Sequence, residues 1–233
     1  MTPTVYLIPS VLDEMAINTI PLYVIDAVKN CQVIFAENER TARRFLKSIC
    51  KDIIIDNYEW FTIHKAEEEQ KNNFRQKLKD KKNIAIISEA GCPGIADPGQ
   101  ILIELAQQMN VTVKPLVGPS SILLALMASG MNGQQFEFVG YLPIDNGERI
   151  KTIKELELAS QKKRSSIIFI ETPYRNNQLI ETLLKTCKPG TKICIAAELT
   201  GTNEYVKTKT VADWKNEKTD FHKKPVIFLL SSF

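Results

Sequence analysis

Short runs of β-branched and other apolar residues alternate with longer amphipathic stretches along the whole chain, and that alternation most limits the folds open to it. Strand-length apolar runs separated by helix-length stretches are the pattern of βα units around a mostly parallel sheet, so the predicted class is α/β. The first half reads as strand 4–8, helix 21–29, strand 32–36, helix 40–48, strand 53–56 and a charged helix over 65–79. Strand 83–88 then leads into a glycine- and proline-rich loop ending at Gly99. A helix with Ile101, Leu102, Leu105 and Ala106 on one face and a strand over 111–116 close this half.

Two prolines and a glycine between Pro115 and Pro119 interrupt both periodicities. A boundary there predicts an amino-terminal α/β domain over 1–116 and a carboxyl-terminal α/β domain over 117–233. The second half reads as helix 120–128, strand 136–140, a helix around 149–158, strand 166–170 and a helix with Leu179, Ile180, Leu183 and Leu184 at core spacing. Strands over 192–197, 204–210 and 225–230 follow with short connections, several without helices. The first sheet is therefore expected to be mostly parallel and the second mixed.

Bulk properties remove several classes of function. No run of about 18 apolar residues is present, and the amino terminus opens directly into a strand pattern, so neither a membrane span nor a secretory signal is expected. The five cysteines, at 31, 50, 92, 187 and 194, are odd in number and show no Cys-x-x-Cys spacing, which argues against a disulfide framework or a zinc cage and for a reducing cytoplasm. The two histidines, His64 and His222, lie far apart in polar surroundings and read as surface residues, and no metal site is expected. A net charge of +3 is far from the concentrated basic footprint that signals nucleic-acid binding by itself.

In an open α/β sheet the loops at the carboxyl ends of the strands carry the chemistry. In the loop after strand 83–88, Gly91, Gly94 and Gly99 allow close backbone approach to a ligand, Pro93 and Pro98 stiffen it, and Asp97 supplies a carboxylate or a helix cap. It matches neither the dinucleotide-binding glycine pattern nor the P-loop. Three more polar clusters stand at element ends: Gly118-Pro119-Ser120-Ser121, Glu171-Thr172-Pro173-Tyr174-Arg175, and Ala196-Ala197-Glu198-Leu199-Thr200-Gly201. Each taken alone also fits ordinary capping or turn formation.

Taken together and in this order, these clusters resemble the tetrapyrrole methylase superfamily, and most closely its bacterial ribosomal small-subunit RNA ribose 2′-O-methyltransferases. The resemblance runs through Ser88-Glu89-Ala90-Gly91-Cys92-Pro93 and Ala96-Asp97-Pro98-Gly99, Gly118-Pro119-Ser120-Ser121, Ser129-Gly130, Phe138-Val139-Gly140-Tyr141-Leu142-Pro143, and the Glu171 and Glu198 clusters. It implies an S-adenosylmethionine (SAM) cleft between two α/β domains of a cytoplasmic homodimer. It also implies cofactor contacts from Ser88, Ala90, Gly91, Pro93, Ile95, Ala96, Asp97, Ser120, Ser121, Tyr141, Leu142, Ala197, Glu198 and Leu199. The implied partner is ribosomal RNA or the small ribosomal subunit.

Methyl transfer needs no protein nucleophile, because the sulfonium already activates the methyl group; the enzyme aligns the acceptor and accepts its proton. Glu37 and Glu171 are the candidate catalytic bases. The chain departs from the family pattern where Ala197 and Gly201 stand in place of an arginine and a lysine, and where Asp145 falls near another expected lysine. Lost cations matter for RNA affinity. Lys162-Lys163-Arg164, Arg43-Arg44 and Lys223-Lys224 are available to compensate, or are simply solvated surface. Two alternatives stay open: a methyltransferase for a small tetrapyrrole-like acceptor, and a non-catalytic SAM-binding protein.

Overall fold

The structure, a computed structural model, describes residues 2–63 and 67–233. His64 and the expected onset of a helix at Lys65 lie outside the described residues. The chain forms two compact units, Met1–Ser120 and Ser121–Phe233.

The first unit is a parallel sheet covered on both faces. Its strands are β1 (Thr4–Ile8), β2 (Val33–Ala36), β3 (Glu59–Thr62), β4 (Ile84–Ile87) and β5 (Thr112–Pro115), in the order β3-β2-β4-β1-β5, and every pairing is parallel. Helices α1 (Tyr23–Lys29), α2 (Glu39–Ile49), α3 (Glu67–Lys79) and α4 (Gln100–Gln108) connect them. Every position of β2 and β4 is buried, which is why both read as unbroken apolar runs in the sequence. The pleat divides their side chains between two cores. Ile34, Ala36, Ala85 and Ile87 meet Val24 and Val28 of α1 and Phe45 and Leu46 of α2. Val33, Phe35, Ile84 and Ile86 meet Phe74 and Leu78 of α3 and Leu102 and Leu105 of α4. Helices α1 and α2 thus lie on one face and α3 and α4 on the other.

The strand expected over 53–56 is not there. The Ile53-Ile54-Ile55 run instead buries Ile53 and turns through a short 3-10 segment, Ile55–Asn57, and the strand begins two residues later at Glu59. Aromatic side chains settle this register: Trp60 donates its ring N–H to the Ile55 carbonyl at 3.1 Å, and Phe61 stacks on Phe35 with ring centres 4.7 Å apart. The first unit also runs four residues past the expected boundary at 116. Leu116 N–H bonds the Leu7 carbonyl at 3.2 Å, and Val117 N–H bonds the Tyr23 hydroxyl at 2.6 Å, tying the proline-rich segment back to its own sheet.

The second unit carries a mixed sheet of β6 (Phe136–Tyr141), β7 (Ser166–Ile170), β8 (Lys192–Ala197), β9 (Tyr205–Thr210) and β10 (Val226–Ser231), in the order β6-β7-β10-β8-β9. Only β6 and β7 pair in parallel; the other three pairings are antiparallel. Helices α5 (Ser121–Ser129), α6 (Asn146–Lys163), α7 (Asn176–Thr186) and the four-residue α8 (Val211–Trp214) complete it. The core centres on Phe169 stacked against Phe228 and on Trp214, whose ring N–H reaches the Ile193 carbonyl at 2.8 Å. Helix α6 is longer than its apolar spacing predicts, because Asp145 caps its start by accepting from Glu148 N–H at 2.9 Å and because its buried face includes polar Arg149, Glu157 and Ser160. Glu157 accepts from Lys188 N–H at 2.8 Å, so its burial is satisfied though its type blurs the periodicity.

Phe35 is fully buried and touches both Phe61 and Phe74. Phe35→Ala is expected to cost about 3–5 kcal/mol of stability to urea, read by fluorescence of Trp60 in the same unit. A loss under about 1 kcal/mol would show that this aromatic triad does not anchor the sheet.

Candidate functional site

In a parallel sheet the carboxyl ends of all strands lie along one edge. From β1 the chain crosses toward β2 through α1 on one face, and from β4 it crosses in the other direction toward β5 through α4 on the opposite face. Neighbouring strands β1 and β4 therefore send their loops apart, which is the geometry that opens a ligand crevice in sheets of this kind.

The loops at that point are locked together by their backbones. Ser10, just past β1, donates its N–H to the Gly91 carbonyl at 2.8 Å, accepts from Gly91 N–H at 3.2 Å, and donates its hydroxyl to the Ser88 carbonyl at 2.8 Å. Gly91 holds a φ of 73°, a left-handed conformation in which a side chain is strained. Asp97 draws the rest of the β4 loop into a closed turn, its Oδ1 accepting from Gly94 N–H at 2.9 Å and from Gly99 N–H at 2.7 Å. The segment after β5 joins from the other side. The Cys92 thiol lies 3.5 Å from the Pro119 carbonyl, and Gly118 packs so closely on Pro9 that an added Cβ would sit 2.1 Å from the Pro9 Cβ. Ser88, Ala90, Gly91, Pro93, Ile95, Ala96 and Asp97 thus share one loop, with Pro119 and Ser120 leading out of the segment beside it. Ile95 and Ala96 are exposed, and Ala96 is itself left-handed at φ 57°.

Glu37 stands at the carboxyl end of β2 and binds the same loop. Its N–H donates to the Ile87 carbonyl at 3.1 Å and its Oε2 accepts from Glu89 N–H at 2.9 Å. Beside this contact a cavity of about 350 Å³ opens among Ser10, Leu12, Thr41, Arg44, Phe45 and Glu89. Sequence reasoning passed over the part α2 plays in this cavity. The available signal was Asn38: it caps α2 by accepting from Arg40 N–H at 3.1 Å, so the first turn of α2 had to follow directly on Glu37 at a strand end.

Electrostatics here follow from burial. Burial pushes the Asp97 carboxyl above its ordinary range, against the pull of the Gly94 and Gly99 N–H bonds, and the charge of Glu37 pushes the same way. Burial, and then the charge of Asp97, push the Cys92 thiol up as well. A thiol held protonated is a space-filler and not a nucleophile.

In the second unit β6 runs parallel to β7, and β7 and β8 both run antiparallel to β10, so all three end along one edge of the sheet. Tyr141 ends β6 with its ring exposed, and Leu142 after it is buried. Ala197 ends β8; Glu198 follows in a left-handed conformation at φ 50°, with its N–H on the Pro225 carbonyl at 3.0 Å and its Oε2 on the Lys224 ammonium at 2.6 Å. Leu199 is buried. Glu171, past the end of β7, has a side chain with 0 % exposure; its Oε1 accepts from Thr172 N–H at 2.7 Å and from Arg175 Nε and Nη2 at 3.0 and 2.6 Å. Ser121 begins α5, which packs on this sheet. Tyr141, Glu171 and Glu198 therefore stand at the carboxyl-end edge of the second sheet, whereas Ser121 is placed by α5.

Asp97 organises the β4 loop, so Asp97→Ala is expected to cost about 1.5–3 kcal/mol by orphaning two N–H groups, whereas Asp97→Asn keeps an acceptor. Because the folded pKa of Asp97 is raised, the native state binds more protons than the unfolded chain above the ordinary carboxylate range, and this group's contribution to stability falls as pH rises through that window. Urea titrations should show wild type losing stability relative to Asp97→Asn from about pH 4 upward. A difference that grows toward acid would contradict the assignment.

Three kinds of comparison bear on this arrangement. A family profile described as Tetrapyrrole (Corrin/Porphyrin) Methylases matches residues 17–214. The ribosomal RNA small subunit methyltransferase I of Buchnera aphidicola is 28% identical over 238 aligned residues, covering 100% of this chain and 79% of the relative. The protein of the same name from Bacillus subtilis is 31% identical, covering 91% of this chain and 70% of the relative. Among solved structures, uroporphyrin-III C-methyltransferase from Thermus thermophilus, in complex with S-adenosylhomocysteine, shares the fold with a TM-score of 0.56 at 16% identity, covering 98% of this chain and 97% of that one. With the greater part of its length matched by the profile, and with motifs that fall on the interlocked loops of the first sheet and the strand ends of the second, the chain belongs to the tetrapyrrole methylase family.

Proposed function

We propose that the protein transfers the methyl group of S-adenosylmethionine to a ribose 2′ oxygen of small-subunit ribosomal RNA. The observation that carries this reading is the backbone lock around Gly91, which brings the loops after β1, β4 and β5 together at the point where the connections of a parallel sheet diverge. The relatives named for ribosomal RNA methylation, aligned over nearly the whole chain, supply the acceptor class.

Bound SAM would present an adenine, ribose hydroxyls, a zwitterionic amino acid and a methyl group activated by positive sulfur. The chemistry of the loops suits such a ligand. Around Gly91 the residues are small and the backbone groups close to hand, while exposed Ile95 offers apolar surface. In this proposal Ser88, Ala90, Gly91, Pro93, Ile95, Ala96, Asp97 and Ser120 of the first unit and Ser121, Tyr141, Leu142, Ala197, Glu198 and Leu199 of the second hold the cofactor. Fixed loops of this kind lower the barrier by positioning the acceptor oxygen, the main requirement when the methyl is already activated.

Of the two candidate bases, Glu37 is the better placed. It is only half-buried, at a strand end beside the cavity bordered by Glu89. Glu171 is wholly buried and bound to Arg175, which suits a residue that holds the loop after β7 in shape. Glu37 accepts the 2′ hydroxyl proton as the new carbon–oxygen bond forms. The reading also carries a homodimer and a cytoplasmic location; among the described residues no helix is long and apolar enough to cross a membrane.

The test is transfer of labelled methyl from SAM to undermodified small ribosomal subunits, with the site mapped by resistance to alkaline cleavage. Wild type should label the RNA at a sugar, and Glu37→Gln should cut turnover at least about 100-fold while SAM affinity stays within about twofold. Glu171→Gln should lose stability more than turnover per folded molecule. Label found on a base, or Glu37→Gln at full rate, would overturn the respective parts of this assignment.

A further inference from the structure

Between β7 and α7 the side chain of Tyr174 is 70% exposed, an unusual position for a large ring in a segment that is otherwise well held. Two residues from a distant part of the chain meet it. The His222 ring stands edge-on at 5.7 Å, and the Lys223 ammonium lies 5.8 Å from the Tyr174 ring centre.

The loop that brings them is fixed by hydrogen bonds. Asn176 donates to the carbonyls of Phe221 at 3.0 Å and Lys224 at 2.8 Å. Asn177 accepts from Phe221 N–H at 2.9 Å and donates to Asp220 Oδ1 at 2.8 Å, and that same oxygen accepts from His222 N–H at 2.9 Å. Lys223 N–H bonds the Pro173 carbonyl at 2.9 Å while its backbone sits in the left-handed region at φ 62°. A lysine held there is strained, and strain of this kind persists where the surroundings over-determine it.

The charges around the ring are unevenly matched. Arg175 is taken by Glu171 and Lys224 by Glu198. Among the described residues no carboxylate pairs with Lys223. An exposed ring flanked by a second ring and an unpaired cation, all on a rigid loop, is the combination that stacks an unpaired base and contacts its phosphate.

On the RNA reading above, we infer that Tyr174, His222 and Lys223 form a platform for single-stranded acceptor RNA, with a base stacked on Tyr174 and a phosphate on Lys223.

The experiment measures binding of a fluorescent ten-nucleotide oligouridine to the intact protein by anisotropy at several salt concentrations. Circular dichroism and SAM titration of each variant run alongside. Tyr174→Ala should weaken binding about tenfold, and Tyr174→Phe, which keeps the ring, should stay within about twofold of wild type. Lys223→Gly suits the left-handed backbone and removes the cation; it should weaken binding about threefold and flatten the salt dependence by about 0.7 in log–log slope. Tyr174→Ala binding as tightly as wild type, or all variants binding a polyglutamate peptide in preference to RNA, would overturn the platform. If such variants still methylate ribosomal subunits at the wild-type rate, the platform fails and the methyltransferase reading stands. A wild type that binds SAM yet neither binds nor methylates RNA would sink both.

Discussion

The backbone pairing of Ser10 with Gly91 is the contact on which the rest of the first unit's chemistry depends. A parallel sheet places its strand ends along one edge, but nothing in that topology forces neighbouring loops to touch. Here β1 and β4 send their chains to opposite faces, and the two hydrogen bonds between Ser10 and Gly91, with the Ser10 hydroxyl on Ser88, close the gap. Gly118 then lies against Pro9 at a distance no side chain would allow. With the turn closed by Asp97, these contacts hold the loop carrying Ala90, Ile95 and Asp97 in one shape.

Burial shapes the charges in the same way. Asp97 does its structural task by receiving two N–H groups, yet burial makes its ionised form costly. Glu171 and Arg175 show the other solution, a carboxylate removed from water and matched by a guanidinium. Glu37 differs from both: it stays half in solvent and holds the backbone of Glu89, which lines the cavity. Three carboxylates near strand ends thus have three environments, and the proposed base is the one that is neither closed into a turn nor matched by a guanidinium.

Much of this was legible in the sequence, for physical reasons. Strands buried on both faces are continuous apolar runs, so β2 and β4 were plain, and the glycines marked the β4 loop as one of unusual backbone freedom, of which Gly91 and Gly94 turn left-handed. The mixed second sheet was legible because the connection between β8 and β9 is too short for a crossover. What failed did so where tertiary contacts outvote local pattern. Ile53 to Ile55 look like a strand, but Trp60 and Phe61 choose the register. Helix α6 hides its length behind buried Arg149 and Glu157. Leu12, Phe45 and the other cavity walls come from separate elements, and no spacing along the chain relates them. The pairing of Tyr174 with Lys223 is of the same kind, fixed by Asn176 across a long stretch of sequence.

The central proposal is that the loops carrying the expected cofactor residues bind S-adenosylmethionine. Hydrogen exchange of the backbone amides, followed by mass spectrometry with and without saturating S-adenosylmethionine, tests it most directly. The account predicts slowed exchange in peptides covering 88–97 and 118–121 and, in the same titration, in peptides covering 141–142 and 197–199. Protection confined to one unit, or found only away from these segments, would contradict it.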